Sequence, residues 1–122
     1  MRELTSHKVN GLNDFLKVAA IDEPGPGGAC HSYAIMPTVG NASGVHIEFQ
    51  NGPLQETGNV PNGLSNEALL AIVEDRLVGF QSGQFACREN AVALTKLQES
   101  MMWLQKRTRD RMARGVEGAL QK

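Results

Sequence analysis

From residue 65 to residue 114 the chain contains no proline and only two glycines, Gly79 and Gly83. A proline inside a helix removes a hydrogen bond and clashes with the preceding turn, at a cost of about 3 kcal/mol. So long a stretch without proline can be helical almost throughout. Residues 1–64 read the opposite way. They carry all five prolines and are rich in Gly, Asn and β-branched residues. The contrast divides the chain into a β-and-loop part and a helical part.

Within the first part, Phe15 to Ile21 is a short apolar run that reads as a strand. Pro24, Gly25, Pro26, Gly27 and Gly28 force a turn, and Tyr33 to Met36 reads as a second strand. Val39 to Gly44 is a further turn region. Val45, Ile47 and Phe49 then alternate with His46, Glu48 and Gln50. That period of two marks a strand with one buried and one wet face. Gly52 and Pro53 end it, and Asn51 to Gly63 reads as a loop. Short links between strands favour antiparallel hairpins.

Ser65 is a good N-cap, and Glu67 places a negative charge in the first turn, where the helix dipole favours it. Leu69, Leu70, Val73, Leu77 and Phe80 recur at helical spacing, giving a helix over 66–81. Ser82 and Gly83 supply its C-cap. Leu94, Leu97, Met101 and Leu104 form a heptad-like seam in a second helix over about 87–112. At 1.5 Å per residue that helix is roughly 39 Å long. A compact chain of this size has a radius of gyration of roughly 14 Å. Part of the second helix must therefore lie on the sheet, on a partner subunit or in solvent, and a partner subunit is the preferred reading. The expected fold is α+β: a small N-terminal antiparallel β-sheet followed by a long C-terminal helical hairpin. With 122 residues, one domain over 1–122 is expected. Its parts are β and loop (1–64), hairpin (65–114) and tail (115–122).

Composition excludes several functions. A net charge of -1 argues against a nucleic-acid coat, since phosphate neutralisation calls for a large basic excess. Cys30 and Cys87 lack the paired spacing of a zinc site, so no metal and no cofactor is expected. No apolar run approaches the roughly 20 residues that span a bilayer. The N-terminus lacks the apolar core of a secretory signal. A cytoplasmic protein with reduced thiols and no membrane partner is the expectation. Cys87 is expected to be an inert buried thiol.

No catalytic constellation is visible. His7, His31 and His46 have no metal-ligand spacing, and neither a nucleophile elbow nor a Walker A motif is present. His46 falls on the wet face of its strand as a solvated histidine. The Pro-Gly run at 24–28 lacks the lysine and helix that complete a phosphate cradle, so it reads as a hairpin connection. Met101 belongs to the seam, whereas Met102 and Trp103 are expected to meet another element or subunit.

Lys106, Arg107, Arg109, Arg111 and Arg114 crowd the end of the second helix. Arg107, Arg111 and Arg114 fall at i, i+4 and i+7 on one face. Two readings stand. Basic residues suit a helix C-terminus, so this can be a solvated end. Alternatively the guanidiniums, each able to grip a phosphate through two hydrogen bonds, form an anion site.

The run RENxxALTKLxExxMWL at residues 88–104, within the stretch from Phe85 to Gly118, resembles the helical hairpin shared by phage Thoeris anti-defence proteins and anti-CBASS sponges. The segments DEPGPGGACHSYAI, IEFQNGP and NGLSNEALLAIVEDRL resemble the longer, Thoeris-type members. The resemblance implies a protein that sequesters a cyclic nucleotide immune signal, glycocyclic ADP-ribose, without cleaving it. It also implies assembly into homo-oligomers, dimers or hexamers, in the cytoplasm of the infected host. Family pockets for the ADP-ribose signal use a phenylalanine, an asparagine and two arginines one helical turn apart. Phe80, Asn90, Arg107 and Arg111 match that pattern. Related members hold cyclic di- or trinucleotides in a separate pocket, for which Arg88, Thr95 and Lys96 are candidates. The competing reading is a protein- or nucleic-acid-interaction module that uses the basic end of the second helix.

Overall fold

The computed structural model describes residues 1–116. The order of elements is β1 (Arg2–Leu4), α1 (Gly11–Asp14), β2 (Leu16–Ala20), β3 (Ser32–Pro37), β4 (Val45–Glu48), a 3-10 turn at Leu54–Thr57, α2 (Asn66–Gln81) and α3 (Arg88–Ala113). This is the α+β class expected from the sequence, a sheet followed by a helical hairpin. Residues 117–122 of the expected tail lie outside the described residues. The chain divides into two compact units: Met1–Asn51 with Asn62–Leu64, and Gly52–Pro61 with the chain from Ser65 onward.

In the first unit the strands form one antiparallel meander in the order β1-β2-β3-β4. Its register pairs Leu4 with Val18, Val18 with Ile35, and Ile35 with Val45. Because directly opposed residues share a face, these apolar side chains fall in one row. Tyr33 and Ile47 lie opposite each other on the same face, and the Tyr33 ring meets Phe49 edge-on at 5.6 Å. The opposite face carries Lys17, Ser32, His46 and Glu48. The tightest packing is made by small residues, with Ala19, Ala20, Ala34 and Cys30 all buried.

The β2–β3 connection is the turn expected at the Pro-Gly run. Its backbone closes through Gly25 N–H to the Ala29 carbonyl at 2.8 Å and Gly28 N–H to the Gly25 carbonyl at 2.9 Å. Beyond β4, Phe49 bridges to Leu64, and Gln50 N–H donates to the Leu64 carbonyl at 2.8 Å. Gly63 makes this approach possible. A Cβ there would lie 2.6 Å from the Phe49 carbonyl oxygen.

In the second unit the helix starts follow from local chemistry. Ser65 Oγ accepts from Ala68 N–H at 3.1 Å and caps α2. Cys87 caps α3, its Sγ accepting from Asn90 N–H at 3.4 Å. The expected burial of Cys87 is therefore corrected: it is exposed, because the cap position sits at the mouth of the turn. Gln81 clamps that turn. Its Oε1 accepts from Cys87 N–H at 3.1 Å, and its Nε2 donates to the Cys87 carbonyl at 3.2 Å.

The seam of α3 is longer than the apolar pattern suggests. The side chains at least partly removed from solvent are Asn90, Leu94, Leu97, Met101, Leu104, Thr108 and Arg111. They follow the alternating three-four spacing of a heptad. On α2 the matching set is Glu67, Leu70, Glu74, Leu77 and Gln81, with Leu69 beside it. Val73 and Phe80, expected on the same stripe, are exposed.

The end of α3 is set by Gly115, whose φ of 72° is the left-handed conformation that favours glycine. Val116 N–H returns to the Arg111 carbonyl at 2.9 Å, and Gly115 N–H to the Met112 carbonyl at 3.0 Å. These two bonds make a Schellman cap.

Candidate ligand site

The last turns of α3 carry a concavity of about 700 Å³. Its described lining is Trp103, Lys106, Arg107, Asp110, Arg111, Ala113 and Arg114. Sites for small molecules and cofactors have volumes of roughly 300–1,000 Å³. The basic residues there are not equivalent. Lys106 Nζ donates to Asp110 Oδ2 at 2.6 Å, so its charge is matched within the helix. Arg107 is exposed and makes no hydrogen bond or ion pair among the described residues. Arg111 is only 5% exposed, and its Nη2 donates to the Val116 carbonyl at 2.9 Å. The Schellman cap supplies that acceptor. It folds Val116 back over the helix end, into reach of the guanidinium on the seam.

At the other end of α3 stand Phe80 and Asn90. Phe80 is 41% exposed near the end of α2, and the Arg76 guanidinium lies 5.4 Å from its ring centroid. That separation is within cation–π range. Asn90 is half-buried in the first turn of α3, where the Cys87 cap holds its backbone. Its side-chain amide has no hydrogen-bond partner among the described residues. It can therefore both donate and accept toward a ligand.

Of these four residues, the structure brings together Arg107 and Arg111. Arg107 and Arg111 lie one turn apart on the same concavity. Asn90 and Arg107 are separated by about 26 Å along the axis, at 1.5 Å per residue. Arg88, Thr95 and Lys96 lie along the exposed side of the first half of α3. Lys96 Nζ is 4.0 Å from Glu99 Oε1.

Sequence reasoning missed two features. Trp103 lines the arginine concavity, which its place beside the seam did not indicate. On the wet face of the sheet, Ser32 Oγ lies 2.8 Å from His46 Nε2 and donates to Glu48 Oε1 at 2.7 Å. His46 Nε2 is 2.8 Å from the same Glu48 oxygen. The strand alternation aligned His46 with Glu48, but the pairing with Ser32 depends on register. This trio does not have the layout of a nucleophilic relay. There the carboxylate holds Nδ1 while Nε2 serves the hydroxyl, and here both partners crowd Nε2. Nearby, the Asp22 carboxylate accepts from His31 N–H at 2.9 Å and Ser32 N–H at 3.1 Å. These backbone donors hold its pKa below the usual carboxylate value. Among the described residues no group of three acidic, histidine or cysteine side chains is placed to hold a metal ion. None of their helices is long and apolar enough to cross a membrane.

A four-stranded meander followed by a capped helical hairpin with an arginine-lined end defines a small α+β hairpin-domain protein. The chain belongs to the Acb2/Tad1 hairpin-domain family, whose model matches residues 41–109. The matched region covers β4, α2 and most of α3, and includes Phe80, Asn90 and Arg107, while Arg111 lies just beyond it. The chain is also 54% identical over 76 residues to Thoeris anti-defense 1 of Bacillus phage SBSphiJ7. That alignment covers 62% of this chain and 52% of the relative, so the chain spans about half the length of the curated relative it matches.

Proposed function

We propose that this chain is a phage anti-defence protein that binds a cyclic ADP-ribose signal of bacterial immunity and holds it intact in the host cytoplasm. The effector that awaits the signal then stays silent. Membership of the hairpin family and the similarity to a Thoeris anti-defence protein support the reading. One structural observation carries it furthest: Arg107, exposed and without an ionic partner among the described residues, shares a concavity with Arg111 one turn away. Two guanidiniums about 6 Å apart along a helix suit the two phosphates of a pyrophosphate.

The ligand is bound between two copies of the chain. No cyclic ADP-ribose reaches the 26 Å or so that separates Asn90 from Arg107 on one helix. Two α3 helices packed antiparallel bring Phe80 and Asn90 of one subunit to Arg107 and Arg111 of the other. Phe80 then offers a ring to stack on the adenine, and Asn90 an amide for a base or ribose edge. Arg88, Thr95 and Lys96 are the proposed residues of a second pocket for cyclic di- or trinucleotides.

Calorimetry with cyclic ADP-ribose isomers and with cyclic di- and trinucleotides tests the reading. Saturable binding is expected, with ligand recovered chemically unchanged after heat denaturation. A linear product that accumulates with time would overturn the sponge in favour of an enzyme. Binding to duplex DNA or RNA whose log affinity falls steeply with log salt would instead favour a nucleic-acid module.

A further inference from the structure

We propose that Trp103 is a second ring-stacking residue, beside Phe80, and the selecting residue of the arginine-lined concavity, so that the site takes a nucleotide whose planar ring lies beside its phosphates rather than a bare polyphosphate. The inference rests on the ligand class proposed above. It goes further by assigning specificity to a residue that lies outside the Phe80, Asn90, Arg107 and Arg111 set.

Three observations carry it. First, Trp103 lines the same concavity as Arg107 and Arg111. The three stand at i, i+4 and i+8, a single ridge in which each step rises about 6 Å. The indole is therefore one turn from the first guanidinium, and the two guanidiniums are one turn from each other. A ligand that carries a nucleobase beside a pyrophosphate presents the same groups.

Second, Trp103 is 69% exposed. The packing of α3 on α2 is served by its neighbours Met101 and Leu104, which are partly removed from solvent. An indole is among the largest apolar surfaces a chain can bury. Here the helix end leaves it open beside cationic groups. Stacking on a nucleobase removes the apolar face from water and asks nothing of the base's hydrogen-bonding edge.

Third, the charge around the ring is already sorted. Lys106 is neutralised by Asp110, which leaves Arg107 as the cation next to the indole on the ridge. An anion bound at Arg107 thus positions its attached ring toward Trp103.

The chain has a single tryptophan, so its fluorescence reports on this site alone. Titration with cyclic ADP-ribose is expected to shift Trp103 emission, with the same midpoint as calorimetry. Inorganic pyrophosphate, which has the charge and no ring, is expected to compete at least tenfold more weakly. Trp103→Ala is expected to weaken cyclic ADP-ribose binding by roughly tenfold to a hundredfold, and Trp103→Phe to recover most of it. Equal competition by pyrophosphate overturns the proposal. So does a Phe variant as weak as the Ala variant. If Trp103→Ala binds as tightly as the parent while Arg107→Ala does not, the selecting role of Trp103 fails and the sponge reading stands. If the parent binds no cyclic nucleotide at all, both fall together. Light scattering on the variants completes the test. A Trp103→Ala protein that loses binding only because its oligomer dissociates makes Trp103 an assembly contact and overturns the proposal.

Discussion

The two arginines of the candidate site do different work. Arg107 makes no ion pair among the described residues, so Arg107→Ala is expected to leave thermal stability unchanged. It should weaken cyclic ADP-ribose binding by roughly tenfold to a hundredfold, the worth of a charge-assisted hydrogen bond or two. Arg111 sits on the seam and donates to the Val116 carbonyl. From sequence spacing alone its removal would be neutral for stability. The structure corrects this, since Arg111→Ala deletes a buried donor and its packing. That change is expected to cost about 1–3 kcal/mol in a thermal melt as well as binding. Lys106→Ala, whose pair with Asp110 is exposed, is the control and should change neither by much. Asp22 gives a separate test by pH. Its carboxylate is held below the usual range by the backbone donors of His31 and Ser32. A depressed carboxylate contributes stability that is present above its unfolded pKa and lost as pH falls through the folded value. That contribution should therefore fade below about pH 4, and Asp22→Asn should flatten that part of the pH–stability curve. An unchanged curve would remove Asp22 from the account.

At the scale of elements, caps and glycines decide where the helices begin and end. Gly79 lies in α2, and outside its own helix backbone no described residue comes within 4 Å of the position a Cβ would take. Gly79→Ala is expected to raise stability by about 0.5–1 kcal/mol, because alanine loses less freedom in a helix. Gly115 has a φ of 72° in the Schellman cap of α3. Gly115→Ala is expected to cost about 1–2 kcal/mol, and to loosen Arg111 by displacing the Val116 carbonyl. Paired melts of these two variants should move in opposite directions. The long elements were readable from pattern. The period-two run at Val45, Ile47 and Phe49 became β4, and the apolar spacing from Leu94 to Leu104 became the centre of the α3 seam. β1, α1 and the 3-10 turn were not read, because three- and four-residue elements are too short to show a period. The seam's polar ends, Asn90, Thr108 and Arg111, were also missed as seam positions. A hydrophobic pattern stops where the side chains turn polar, even when the helix continues to present the same face.

For the whole molecule, the lengths of α2 and α3 matter most. With 16 and 26 residues, they span about 24 and 39 Å at 1.5 Å per residue. Some 15 Å of α3 therefore has no counterpart on α2. The exposed Met112 lies in this extension. Together with the distance between the two halves of the candidate site, this leads us to expect a homo-oligomer. Light scattering at micromolar concentration should give a mass at least twice the 13.2 kDa of one chain. A purely monomeric species would remove the two-chain pocket.

What the sequence alone determined was local. Proline placement, capping residues and periodicity act over a few residues, so the longer elements and the centre of the α3 seam could be read without the fold. The shared helical face of Arg107 and Arg111 belongs to this class, because i and i+4 are neighbours in any helix. What only the tertiary structure decided involves residues brought together by chain reversal. The sheet register sets Ser32 opposite Glu48, and no local pattern chooses among registers that differ by two residues. The return of Val116 over the end of α3 sets its carbonyl 2.9 Å from the guanidinium of the buried Arg111, whereas Arg107 stays exposed. That difference cannot be read from two identical side chains one turn apart. Part of it is a hydrogen bond whose acceptor is delivered by the Gly115 turn.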